Sequence, residues 1–99
     1  MKDEFITRIG IWGQRHYNYL KKNSPAVINA MRLKGTLEQY LSDFDRDARE
    51  MYDRMIQQYS EIEGINEQLK SADNLQWTRS MNSIRIRVEE FVLRDQVYA

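Results

Sequence analysis

At 99 residues the chain has the length of one domain, and its 15 basic and 15 acidic side chains cancel. A hydrophobic share of 41% can build a core and excludes disorder by charge excess, while one Pro and four Gly disfavour a turn-rich β fold. The lack of Cys removes disulfides, thiolate metal sites and thiol catalysis, and no apolar run reaches the ~20 residues of a membrane span.

Four helices are expected, over about residues 5–22, 25–34, 37–63 and 67–95. The start, Met-Lys-Asp-Glu-Phe-Ile-Thr-Arg-Ile, lacks the apolar segment of a signal peptide, so a cytoplasmic protein is expected. The first helix offers Ile9, Trp12, Tyr19 and Leu20 to a core, although Gly10 and Gly13 each weaken its start by up to ~1 kcal/mol. Asn23-Ser24-Pro25 ends it and opens the second, with Ser24 as cap and Pro25 at the first helical position, where no N–H is missed. The second helix offers Val27, Ile28, Met31 and Leu33, and Gly35 closes it by reaching the left-handed conformation cheaply. Thr36-Leu37-Glu38-Gln39 fits a capping box for the third helix, Gly64 is the next break, and Asn66 suits the cap of the fourth.

Leu37, Leu41, Phe44, Ala48, Met51, Met55, Tyr59 and Ile62 form a seam along the third helix; Trp77, Met81, Ile84, Val88 and Phe91 form one along the fourth. Both step by three and four, close to the ~3.5-residue repeat of paired helices. The fold class is therefore all-α: a long antiparallel hairpin of the third and fourth helices, with the two shorter N-terminal helices packed on it as one domain. Tyr52, Ile56 and Tyr59 widen the third seam, and the first two helices are the neighbours available to cover them. Surplus apolar surface also leaves a homodimer open.

Catalysis is disfavoured and no cofactor is expected. His16 is the one histidine, and it reads as a surface or partly buried residue rather than a ligand. Asp43 and Asp47 share a helix face that would suit a hard cation, but Asp45–Arg49, Arg46–Glu50 and Glu50–Arg54 have ion-pair spacing, so a self-paired face is the simpler reading. Glu89 and Glu90 point about 100° apart and cannot act as an acid–base pair.

Charge is uneven along the chain: residues 1–35 carry +5, residues 36–69 carry −6 and residues 70–99 carry +1. This leaves two candidate surfaces. Glu38, Asp43, Asp47, Glu50 and Asp53 make an acidic rod suited to a protein's nucleic-acid groove. Arg8, Arg15, Lys21 and Lys22, interleaved with Trp12, Tyr17 and Tyr19, are what a nucleic-acid surface uses, and Asn29 and Arg32 on the short second helix are candidates for base edges.

The stretch from Ala72 to Val92 contains Trp77, then Met81-Asn82-Ser83-Ile84-Arg85, then Arg87, Glu89 and Glu90. This string, with Tyr19-Leu20-Lys21, Pro25 and Gly35-x-Leu37 before it, resembles the TnpV family of small proteins encoded on transposons. The resemblance runs over about residues 15–98. It implies a mobile-element setting rather than a reaction. For such a protein two functions are expected. One is an anti-defence role, in which a compact protein binds and blocks a host nuclease such as Cas9, or its guide-RNA complex, as anti-CRISPR proteins do. The other is a DNA-binding accessory or regulatory role for the transposon. Within the motif, Trp77, Met81 and Ile84 read as core. Asn82 and Ser83 read as a buried hydrogen-bonding point that fixes register, and Arg85–Glu89 and Arg87–Glu90 as local ion pairs.

Overall fold

A computed structural model describes residues 3–99, and among these every regular element is helical. A short 3₁₀ turn over Glu4–Arg8 leads to α1 (Ile11–Asn23), α2 (Pro25–Lys34) and the long α3 (Leu37–Ile62). The chain then returns through α4 (Glu67–Ala72) and α5 (Asn74–Val92), ending in a π turn over Leu93–Val97. The hairpin of α3 against α5 is present, with α1 and α2 on it, in a molecule 55 × 22 × 17 Å across.

Two of the four expected helices are interrupted, each for a local reason. The first does not start at residue 5: the backbone is extended at Ile9 and Gly10, and α1 begins only at Ile11. A side chain on Gly10 would overlap the carboxylate of Asp45, which approaches from α3. The fourth breaks at Asp73, whose side chain accepts from the Gln76 N–H at 3.0 Å and so caps a new helix inside the expected one. Asn66 caps α4 as expected, accepting from Leu69 N–H at 2.9 Å. The capping box at Thr36 does not form: Thr36 offers its side chain to no first-turn N–H, and Gln39 donates to Asp43 instead. Ser24 likewise caps only with its backbone, while Pro25 and the left-handed Gly35 hold their expected places.

Two apolar clusters form the interior. The smaller joins Ile9, Tyr17, Ile28, Leu37 and Leu41 and fastens α1 and α2 to the first turns of α3. The larger runs along the hairpin through Ala48, Met81, Ile84, Val88, Val92 and Val97, and Trp12 is its one buried contribution from α1. Trp12 meets Tyr52 at 5.4 Å between ring centroids. Beyond that point burial falls off toward the end of α3. Ile56 and Tyr59 pack against the larger cluster yet stay half-buried, and Ile62 is 80% exposed. Trp77 is half-buried rather than core, and Val27 and Leu33 of α2 face solvent.

Candidate functional site

Helix α3 displays the acidic candidates, but not as one line. At about 100° per residue, Asp43, Asp47 and Glu50 fall within about 60° of one another around the helix, with Asp53 about 60° beyond Glu50. Glu38, nine residues before Asp47, lies about 180° away, on the opposite flank. There it faces Arg8 at 3.7 Å, both side chains being more than half exposed. Arg46 sits between Asp43 and Asp47, at 3.3 and 3.2 Å, where a cation would otherwise have to bind. Glu50 and Asp53 are exposed and have no ion pair among the described residues. The expected Arg46–Glu50 and Glu50–Arg54 pairs are thus replaced by Arg46 turning to its aspartates, while Asp45–Arg49 forms at 3.0 Å. Among the described residues no three His, Asp or Glu gather as a metal site.

The basic candidates are largely occupied. Arg15 pairs with Glu89 of α5 at 3.0 Å and lies over the Trp12 ring. Arg32 is gripped through two nitrogens by Asp3, at 3.0 and 2.6 Å, and also donates to Asn29 at 2.8 Å. The two residues proposed to read base edges are therefore turned toward each other. Lys21 lies over the Tyr17 ring, and Lys22 is exposed. Lys2 of the basic start is outside the described residues. Asp3, Arg32 and Tyr17, whose hydroxyl donates to Asp3 at 2.5 Å, close one side of an open cleft of about 760 Å³ beside the 3₁₀ turn. The Arg32 hydrogen bonds, assisted by Tyr17, hold the Asp3 carboxyl below its ordinary range; burial and the Asp3 carboxylate push the Tyr17 phenol up.

His16 is buried, against expectation. Its ring stacks on Phe44 with centroids 4.0 Å apart. Nδ1 faces the Val97 carbonyl at 2.9 Å and must donate to it; Nε2 then accepts from the Tyr40 hydroxyl at 2.8 Å. Burial lowers its pKa, partly opposed by the Val97 carbonyl. Sequence reasoning missed this role because Tyr40 and Val97 are 24 and 81 residues away.

Comparison with protein families finds one whose model, described as transposon-encoded protein TnpV, matches residues 1–97. The chain belongs to the TnpV family. Comparison with curated proteins and with solved structures finds no match. The TnpV match includes the first residues of the chain, which the motif-based resemblance had left out.

The TnpV motif on α5 divides by burial. Met81 and Ile84 face the hairpin interior. Arg87 does not pair with Glu90: it crosses to the end of α3 and grips Glu63 through two nitrogens, at 2.8 and 3.0 Å, over the Tyr59 ring. That contact holds the Glu63 carboxyl below its ordinary range. Glu89 reaches Arg15 rather than Arg85. Asn82 and Ser83 are exposed rather than buried, and Asn82 accepts from Arg85 at 3.1 Å. The TnpV motif thus ties α5 to α1 and to the end of α3. No described helix is long and apolar enough to cross a membrane.

Proposed function

We propose that this transposon-encoded chain is a non-enzymatic, cytoplasmic binding protein that blocks a host nuclease such as Cas9. The acidic outer face of α3 would enter the basic channel that otherwise holds nucleic acid or the guide-RNA complex. The observation that carries this reading is the placement of Asp43, Asp47 and Glu50 on one arc of a 26-residue helix whose opposite side is packed. Arg46 neutralises part of that arc, and Glu50 with the neighbouring Asp53 keeps its charge free. A carboxylate row on a rigid helix competes for cationic grooves through electrostatic complementarity, which governs encounter rate and partner choice.

Direct DNA binding by the basic first third is the weaker reading. Arg8, Arg15 and Arg32 already face carboxylates of their own chain, and each would have to give up that partner to meet a phosphate. Lys21 and Lys22 remain for that role. One pair of assays separates the readings. Added to a guide-loaded Cas9 cleavage reaction, the chain should suppress cutting in proportion to its concentration. Mixed with labelled duplex at low salt, it should leave the duplex unshifted. Retention of duplex with undisturbed cleavage would reverse the assignment.

A further inference from the structure

We infer that the molecule pairs with a second copy of itself, antiparallel, the hairpin tip of each protomer resting on α2 of the other. The two ends of α3 carry unlike surfaces. On α2, Leu33, 90% exposed, faces solvent at the Gly35 end and Val27, 47% exposed, at the Pro25 end. Lys34 follows Leu33, and Lys21 and Lys22 close α1 where it adjoins Pro25; all three lysines are exposed and have no ion pair among the described residues. At the Gly64 end, Ile62 is 80% and Leu75 61% exposed, and Glu61 and Glu67 are exposed without an ion pair among the described residues. One end is apolar with free cations; the other is apolar and net acidic, because Glu61, Glu67 and Asp73 outnumber Lys70, which lies over the Trp77 ring.

The length of α3 keeps these ends apart. Its 26 residues separate the two glycine turns by roughly 39 Å, so one molecule cannot bring its own patches together. A copy turned end for end satisfies both contacts at once, tip on α2 and α2 on tip, the reciprocal arrangement that a two-fold axis imposes. The shape agrees. A radius of gyration of 17.1 Å exceeds the roughly 13 Å of a compact chain this size, because the 26-residue α3 draws the molecule out to 55 Å. A second copy of opposite polarity is the occupant that supplies matching charge at both places.

Light scattering after size exclusion tests the pairing on the whole chain. The expected mass is twice the 11.9 kDa of one chain. Leu33→Asp alters a side chain with no packing role, so it should halve the mass while leaving the helical circular dichroism unchanged. Lys21→Glu, Lys22→Glu and Lys34→Glu combined, and Glu61→Lys with Glu67→Lys combined, should each give monomers, because each set places like charges against each other twice. Mixing these two variants should restore the dimer, since both contacts then join opposite charges. A native chain that runs as a monomer at all concentrations, or a dimer that survives Leu33→Asp and both charge reversals, would overturn the inference.

Discussion

Asp45 of α3 caps helix α1 from outside: its Oδ1 accepts the Gly13 N–H at 3.0 Å, 32 residues away in sequence. α1 has no acidic residue in its first turn and no capping side chain of its own, so the carboxylate supplies what the local sequence lacks. The other oxygen accepts from Arg49 at 3.0 Å. One residue of the acidic run is therefore spent on the interior and is lost to any partner.

Replacing Asp45 by Ala should lower stability by about 1–3 kcal/mol, because a buried N–H loses its acceptor. Asp45→Asn keeps an acceptor oxygen and should cost less. Urea unfolding followed by circular dichroism measures both, and equal losses would argue against the capping role.

Gly13→Ala sets two effects against each other. Alanine gains up to ~1 kcal/mol as a helix former, yet its Cβ would stand 2.9 Å from the Leu41 carbonyl oxygen, a backbone atom of α3. Overpacking of this kind costs about 1–3 kcal/mol, so net destabilisation is expected in the same unfolding experiment.

Acid should destabilise the protein in two stages. His16 has a depressed folded pKa, so the unfolded chain takes its proton first; stability holds above about 6.5 and falls as pH drops from there toward the folded value. Asp3 is also depressed, through Arg32, so its contribution persists until pH falls below about 3.9 and is lost through its folded value. Thermal melts across this range should show His16→Phe removing the first decline and Asp3→Asn reducing the second.

The family motif should divide in the same way that burial divides it. Ile84 is fully buried, and Ile84→Ala should cost about 2–5 kcal/mol. Asn82 is exposed, and Asn82→Ala should stay within about 0.5 kcal/mol of the native chain. Chemical unfolding of the two variants distinguishes a packing motif from one fixed by a buried polar pair.

The hairpin was legible because seams of three and four specify a helix pair wherever they occur, and Ala48, Met81, Ile84 and Val88 lie where those seams place them. Gly35 and Gly64 were legible because both take positive φ, at 72° and 71°. What stayed hidden was long-range or competitive. Asp73 sits in a helix-compatible stretch, and only its side chain's preference for the Gln76 N–H breaks it. The partners of Asp45, His16 and Arg87 come from other elements, so spacing along one helix pointed Arg87 to Glu90 when Glu63 takes it. The acidic surface was half legible. Periodicity groups Asp43, Asp47 and Glu50, but charge counting joined Glu38 to them, although it lies on the far flank facing Arg8.

The most direct test of the acidic face is the affinity for guide-loaded Cas9 of the native chain and of Asp43→Asn, Asp47→Asn, Glu50→Gln combined, measured by a surface-binding assay at physiological salt. All three side chains lie on the solvent side of α3, so helicity should stay native while binding weakens at least tenfold, about 1.4 kcal/mol. An unchanged affinity in a variant of native helicity would contradict the account.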